Sequence, residues 1–326
     1  MSRILLVATG GTIASRPTPG GVTAVLAGAE VLATVPEAAR TALGVEVDVV
    51  DLAQGASWNL TPAAMLRVAV TAADARGTGG YDGVVVTHGT DVLEETAFLA
   101  FLLGAEVVVT GAMRNDGEVG ADGPRNLADA LAVAADPAAR GRGALVVMNG
   151  EIHSARWATK TDTSSPGTFR SPAGMPLGAI GADGAVRFSV PPGVPALPPP
   201  VRPEIDPAVA VVVAHGGVDA DIVEWHLDRG ARGLVVVGTG TGNVNEALVP
   251  GIEAALAAGV PVVVAARPPT GPVVPVYGGP GGFAGLARLG AIGSGNLGWV
   301  KARLALMVAV GNHLDPSGYF STFGQR

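Results

Sequence analysis

The sequence predicts an α/β fold, with a larger N-terminal domain built on a mainly parallel sheet and a smaller C-terminal α/β domain. Short β-branched runs alternate with longer alanine- and leucine-rich stretches, and the runs are apolar almost throughout, as in parallel strands covered on both faces. A proline-rich stretch divides the chain, because helices and central strands do not tolerate that proline density. We therefore expect an N-terminal domain at 1–190, a linker at 191–207 and a C-terminal domain at 208–326.

The individual elements follow the same pattern. In the N-terminal part the β-branched runs predict strands at 4–8, 45–51, 83–87, 107–111 and 145–148. The stretches between them predict helices at 62–75, 92–103 and 125–134. After the linker we expect strands at 209–214, 233–237 and 260–265, helices at 222–228 and 246–258, and a final helix at 299–310.

Composition excludes several classes of function. The net charge of -7, without a basic stripe, argues against nucleic acid as a partner. Cysteine is absent, which removes disulfides and thiolate chemistry, and the five histidines are scattered, so we expect no metal and no cofactor. The apolar run at 4–8 is too short for a secretory leader, and no apolar stretch is long enough to span a membrane. We expect a cytoplasmic protein without membrane contact.

Ligands in open α/β sheets bind at the carboxyl ends of the strands, so the residues after each strand are the candidate site. After the first strand, two glycines lead to Thr12. Its hydroxyl has either a structural place in a strand–helix turn or a role as a nucleophile. After the third strand, Thr90 and Asp91 precede a helix. Asp91 with Glu94 fits a capping box, but a carboxylate there also suits a substrate ammonium.

Lysine is rare in this chain: only two of the 21 basic residues are lysines. Lys160 lies in the polar segment 149–163 after the fifth strand, as either a solvated loop residue or a proton relay, since lysine can release its proton and arginine effectively cannot. Lys301 lies in the final predicted helix and has no such polar setting. Together with Thr12, Thr90 and Asp91, Lys160 forms a plausible acyl-transfer site, but these residues alone do not identify a substrate.

Two longer motifs carry a resemblance. Residues 9–14 read TGGTIA and residues 88–96 read HGTDVLEET, and both are similar to the signatures of the bacterial L-asparaginase family. Further matches cover nearly the whole chain in order: 109–114, 147–149, 159–161, 240–243 and 269–271.

The resemblance implies that Thr12 attacks the side-chain amide of L-asparagine and forms an acyl-enzyme, while Thr90, Lys160 and Asp91 relay protons. Ser57 would receive the substrate carboxylate, and Asp91 its ammonium. The residues implied to contact the substrate are Gly11, Ser57, Trp58, Thr90, Asp91, Ala112 and Asn243. Family members are commonly homotetramers, so we expect a homo-oligomer in which Asn243 approaches from a neighbouring subunit.

The chain also departs from the family pattern. The segment 15–24 lacks the tyrosine, and 275–282 the glutamate, that secreted members carry, so the group that deprotonates Thr12 is open. Trp58 stands where a smaller polar residue is common, which predicts a narrow pocket that disfavours glutamine.

Three alternatives remain at this point. The substrate is glutamine, a D-amide or a peptide-linked asparagine; or the chain is an amino-acid sensor with little turnover; or it binds a nicotinamide cofactor through the glycine-rich segment 238–242. Ammonia release across a panel of amides tests the substrate. Thermal stabilisation by aspartate without ammonia release would indicate a sensor, and titration with nicotinamide cofactors tests cofactor binding.

Overall fold

The computed structural model describes residues 1–324 and divides into two compact units, one at Met1–Pro200 and a second beginning at Val201. Each unit has its own apolar core and its own sheet, which is mainly parallel in the first unit and parallel in the second, and this confirms the predicted α/β class. Among the helices of these residues, none combines the length and the apolar composition that a bilayer crossing requires.

The first unit holds twelve strands and five helices. Its strands are β1 (Ser2–Ala8), β2 (Ser15–Thr18), β3 (Gly21–Ala24), β4 (Val45–Asp51), β5 (Gly83–Thr87), β6 (Val108–Thr110), β7 (Leu145–Met148), β8 (Glu151–Ser154), β9 (Thr159–Lys160), β10 (Phe169–Arg170), β11 (Gly178–Ile180) and β12 (Val186–Phe188). Its helices are α1 (Gly28–Ala33), α2 (Glu37–Ala42), α3 (Pro62–Gly77), α4 (Leu93–Leu102) and α5 (Gly123–Ala135), with short 3-10 turns at Thr12–Ala14, Ser57–Asn59 and Pro137–Ala139.

The main sheet has eight strands in the order β12-β11-β8-β7-β6-β5-β1-β4. Five neighbouring strands, β4, β1, β5, β6 and β7, run parallel. Strands β8, β11 and β12 continue the sheet in antiparallel pairs. Strand β1 lies between β4 and β5, so the chain leaves it first towards one side of the sheet and later returns on the other. This reversal is a topological switch point, where open α/β sheets bind their ligands.

Local sequence explains the helices that frame this edge. Thr61 caps α3 by accepting a hydrogen bond from Ala64 N at 3.3 Å, and Pro62 occupies the first helical position, where its missing N–H costs nothing. Helix α4 is buried along nearly its whole length, and α5 turns one apolar face to the core. The sheet side chains Ile4, Leu6 and Val85 pack with α5 in one buried cluster.

The second unit is a four-stranded parallel sheet in the order β13-β14-β15-β16, surrounded by helices. The strands are β13 (Val209–Val213), β14 (Gly233–Gly238), β15 (Val262–Ala266) and β16 (Ile292–Gly293). The helices are α6 (Asp221–Asp228), α7 (Val249–Ala257), which follows a 3-10 turn at Glu246–Leu248, α8 (Phe283–Leu289), α9 (Trp299–Gly311) and α10 (Pro316–Gly324).

Two expectations about local structure were wrong. Helix α9 is not the last helix, because Tyr319, Phe320 and Phe323 bury their rings and hold a further helix, α10, in a serine- and glycine-containing segment. The segment 149–163 is not a polar loop but contains β8 and β9, since His153 and Ser154 are fully buried.

Candidate active site

The strand ends at the switch point lie level with one another. Ala8, at the end of β1, pairs with Thr87 at the end of β5, and Thr87 pairs with Thr110 at the end of β6. Thr9 follows directly, and its hydroxyl donates to the Thr87 carbonyl at 2.9 Å. Because the strands are parallel and in this register, the segments that follow them leave the sheet side by side.

Glycine allows these segments to approach closely. Gly11 has φ 82°, and a Cβ added there would lie 2.2 Å from the Cα of Gly89. A Cβ added to Gly89 would in turn lie 2.6 Å from Ser57 Oγ. Gly11 N also donates to Gly55 O at 2.9 Å. Gly11, Gly89 and Ser57, which lie far apart in the sequence, are therefore in contact.

Thr12 begins the 3-10 turn that follows this contact and is half-buried. Within residues 1–324 its hydroxyl takes part in no hydrogen bond, whereas the nearby Ser15 hydroxyl donates to Gly11 O at 2.9 Å. The Thr12 hydroxyl is thus not used to cap the turn, and the structural role considered from the sequence does not apply.

Lys160 joins the two polar residues after β5. Its Nζ donates to Thr90 Oγ1 at 2.9 Å and to Asp91 Oδ1 at 2.7 Å. The Lys160 side chain is 16% exposed and that of Asp91 is 46% exposed. Since Thr90 Oγ1 accepts from lysine, the hydroxyl proton of Thr90 remains free to be donated elsewhere.

Two structural alternatives from the sequence are therefore wrong. Lys160 is not a solvated loop residue, because it lies in β9 with its ammonium turned to Thr90 and Asp91. Asp91 is not the capping residue of α4, because that helix begins at Leu93 with Val92 in the N-cap position and no side chain caps it there.

Ala112 is fully buried. A Cβ added to the preceding residue, Gly111, would lie 3.3 Å from Thr90 Cγ2. Two side chains of the α5 region fix this segment. The Asp122 carboxylate accepts from Met113 N at 3.1 Å, and Asn126 Nδ2 donates to Gly111 O at 3.0 Å. Sequence reasoning missed Asp122 and Asn126, because their spacing gives no signal for these contacts with the backbone.

His88 is a further residue that sequence reasoning passed over. It is fully buried, with Nδ1 2.8 Å from Gly89 O and Nε2 2.8 Å from Thr96 Oγ1. The carbonyl accepts from Nδ1–H, so Nε2 accepts the Thr96 hydroxyl proton. His88 thereby fixes the backbone immediately before Thr90. Burial lowers the pKa of His88 to about 4.

We expect this histidine to make stability depend on pH. In the unfolded chain the imidazole titrates near 6.5. As the pH falls below 6.5, the unfolded state gains a proton before the folded state does, so stability present above pH 6.5 is lost progressively down to about pH 4. The difference between the two pKa values corresponds to about 3 kcal/mol. The free energy of unfolding, measured with urea from pH 7 to pH 4 for wild type and His88→Gln, tests this. The same dependence of that free energy on pH in both proteins contradicts it.

The other predicted substrate-contacting residues lie in different settings. Trp58 follows the buried Ser57 and is 70% exposed. Beside Lys160, a cavity of about 400 Å³ is lined by Asp91, Glu94, Lys160, Thr161, Asp162 and Thr163. Asn243 belongs to the second unit, where its Oδ1 accepts from Phe283 N at 3.2 Å, so it is not among the residues that the first unit brings together.

The glycine-rich segment 238–242 does not form an open phosphate cradle. Thr239 N donates to Asn243 O at 2.7 Å, and Asn243 N donates to Thr239 O at 2.8 Å. A Cβ added to Gly238 would lie 2.7 Å from the carbonyl carbon of Gly242. The segment closes on itself as a tight turn, which argues against the cofactor-binding alternative.

Comparison with known proteins identifies the family. Residues 3–192 match the family model described as Asparaginase, N-terminal, and residues 208–323 match the one described as Glutaminase/Asparaginase C-terminal domain. The chain belongs to the asparaginase family. Family membership makes it an amidohydrolase and confirms the resemblance read from residues 9–14 and 88–96.

Individual asparaginase relatives agree with this membership. A probable L-asparaginase of Deinococcus radiodurans is 41% identical and covers 94% of this chain and 92% of its own length. A probable periplasmic L-asparaginase of Haemophilus influenzae is 38% identical over 74% of this chain and 70% of its own length. The crystal structure of a probable cytoplasmic L-asparaginase from Campylobacter jejuni has a TM-score of 0.85, with 30% identity over 99% of this chain and 100% of that one.

Proposed function

We propose that this asparaginase family member hydrolyses the side-chain amide of L-asparagine to L-aspartate and ammonia, with Thr12 as nucleophile. The observation that carries the proposal is the Lys160 ammonium, which donates both to the Thr90 hydroxyl and to the Asp91 carboxylate at the strand ends. The relatives named L-asparaginase support the choice of substrate. Steady-state ammonia release from L-asparagine and L-glutamine tests it.

In the first half of the reaction, Thr12 Oγ1 forms a bond to the amide carbon and the carbonyl oxygen takes up the electron pair. In this proposal, the backbone N–H groups of Thr90 and Ala112 stabilise this oxyanion. The tetrahedral intermediate collapses by breaking the carbon–nitrogen bond. The proton that Thr12 loses passes through Thr90 and Lys160 to the leaving nitrogen, which departs as ammonia and leaves an ester on Thr12.

In the second half, water attacks the ester carbon, and the same group accepts one of its protons. The carbon–oxygen bond to Thr12 breaks, Thr12 regains a proton, and L-aspartate is released. With no tyrosine in 15–24 and no acid in 275–282, the group of Thr90, Lys160 and Asp91, or a water molecule bound to it, supplies the base. Segment 15–24 instead contains the β2–β3 hairpin.

The two ends of the substrate have separate partners in this proposal. Lys160 contacts Oδ1 of Asp91, which leaves Oδ2 for the substrate ammonium. The Ser57 hydroxyl, beside Gly89, binds the substrate carboxylate. Both contacts hold the α-ammonium and α-carboxylate of the substrate. The distance from these groups to Thr12 therefore selects the length of the substrate side chain.

Trp58 is proposed to set the preference for asparagine over glutamine. Its exposed indole follows Ser57. In this proposal the indole takes the space that the extra methylene of glutamine needs. We expect Trp58→Ala to raise the ratio of kcat/KM for glutamine to that for asparagine about tenfold or more, in line with the discrimination of one methylene. The matched control is Trp225→Ala, which removes a half-exposed tryptophan of the second unit. An unchanged ratio in Trp58→Ala removes Trp58 from the specificity pocket.

The assembly and compartment belong to the same proposal. We propose a homotetramer in which Asn243 contributes to a neighbouring subunit's site, and a cytoplasmic location. For the location, the similarity to the structure named as a probable cytoplasmic L-asparaginase supports the proposal. Light scattering of the purified protein measures the assembly, and a monomer with full activity contradicts it.

A further inference from the structure

A second group of interacting polar side chains connects β8 with β10. His153 on β8 is fully buried, and its Nδ1 lies 2.9 Å from Ser171 Oγ, directly after β10. Its Nε2 lies 3.3 Å from Glu151 Oε2, a close polar contact without the alignment of a hydrogen bond. Glu151 Oε2 also pairs with Arg170 Nη1 at 3.1 Å. We call Glu151, His153, Arg170 and Ser171 the clasp.

The protonation of the clasp follows from its surroundings. Burial lowers the pKa of His153, against the opposing influence of Glu151, so the ring is neutral near neutral pH. A bare Nε2 would turn its lone pair towards the Glu151 carboxylate, so the proton resides on Nε2. Nδ1 then accepts the Ser171 hydroxyl proton. Both β8 residues of the clasp therefore attract the end of β10, His153 through Ser171 and Glu151 through Arg170.

The position of β10 matters because of its partner strand. Strands β9 and β10 form a separate two-stranded ribbon outside the eight-stranded sheet, with Phe169 paired to Lys160 and Arg170 to Thr159. A ribbon of this size has little stability of its own. At its far end, Thr161 N and the Thr161 hydroxyl both donate to Thr168 O, at 2.9 and 2.8 Å. At the near end, the clasp ties it to β8, a strand of the main sheet.

Thr90 and Asp91, by contrast, follow β5 of the main sheet and do not belong to the ribbon. We propose that His153 and Ser171 are positioning residues, which hold β10 on β8 and, through the Phe169–Lys160 pairing, keep Lys160 Nζ in hydrogen-bonding distance of Thr90 and Asp91. The catalytic consequence rests on the proposed function, in which Lys160 takes part in proton transfer. A misplacement of about 1 Å in a catalytic group costs up to about a hundredfold in rate.

The test compares Ser171→Ala, which removes the hydroxyl, with Ser171→Thr, which retains it. We expect Ser171→Ala to lower kcat for L-asparagine between about tenfold and a hundredfold, with a smaller change in KM, and Ser171→Thr to restore most of it. In a Lys160→Met background, Ser171→Ala should have no further effect on kcat. Val186→Ala on β12 is the control, because it loosens the core of the same sheet without touching the ribbon.

A second readout does not depend on turnover. The chain has only two lysines, so protein labelled with ¹³C at lysine Cε gives two NMR signals, and Lys160→Arg identifies the signal of Lys160. We expect Ser171→Ala to shift the Lys160 signal and leave that of Lys301 in place. Additive effects of Ser171→Ala and Lys160→Met, or an unshifted Lys160 signal with wild-type kcat, overturn the proposal. A wild-type chain without ammonia release contradicts the proposed function instead, while the NMR comparison still tests the clasp.

Discussion

Thr12→Ala is expected to lower the rate of ammonia release from L-asparagine by at least about four orders of magnitude, the effect of removing the nucleophile of a covalent mechanism. The Thr12 hydroxyl follows the close contact of Gly11 with Gly89 and makes no hydrogen bond to the part of the chain at 1–324, so its removal leaves no unpaired group behind. The loss should therefore appear in kcat, with thermal stability nearly unchanged. Steady-state ammonia assays and thermal unfolding measure the two quantities.

Thr12→Ser is the matched control for this variant. It retains a hydroxyl in nearly the same place and should keep a measurable part of the activity, because a primary alcohol performs the same attack. Mass spectrometry of enzyme quenched during turnover should detect an aspartyl ester on wild type and none on Thr12→Ala. Comparable turnover by Thr12→Ala and wild type assigns the nucleophile to another group, such as water activated at Thr90.

Lys160→Met is expected to lower kcat by about two to four orders of magnitude, the range of general acid–base contributions. Methionine has a similar length and is apolar, so both the hydrogen bond to Thr90 and the ion pair with Asp91 are lost. Removing one partner of a partly buried pair also leaves Asp91 without its cation, so we expect a moderate loss of stability in addition. Kinetics and urea unfolding separate the two effects.

Lys160→Arg distinguishes charge from proton transfer. Arginine retains the positive charge beside Asp91 but effectively does not release its proton, and its planar group does not reproduce the geometry of an ammonium. If Lys160 relays protons, Lys160→Arg should keep most of the stability and remain slow. Substantial recovery of kcat in Lys160→Arg shows instead that Lys160 acts through its charge alone.

The sequence predicted the buried parallel strands well, because their apolar runs end where the strands end. The bounds of β4, β5 and β7 agree with the structure at both ends. The β2–β3 hairpin, β8 and the β9–β10 ribbon escaped notice, since polar residues, proline and glycine interrupt any alternation in them. These elements are held by long-range contacts, such as that of His153 with Ser171, which no local pattern reveals.

The residues of the site also divide into those that a local pattern indicates and those that only long-range contacts reveal. The rule that ligands bind after strands selected Thr12, Thr90, Asp91 and Lys160, and the structure brings Lys160 to Thr90 and Asp91. The capping interpretation of Asp91 was wrong because α4 begins at Leu93, with Val92 in the N-cap position. The supporting residues His88, Asp122 and Asn126 act through hydrogen bonds to backbone groups, for which their spacing gives no indication.

The most direct test of the proposed chemistry is steady-state ammonia release by the wild-type protein, with L-asparagine and L-glutamine assayed side by side. We expect rapid, saturable release from L-asparagine and much slower release from L-glutamine. No release at millimolar L-asparagine contradicts the proposed function. If L-aspartate then still raises the melting temperature, the chain binds the amino acid without turning it over, as expected of a sensor.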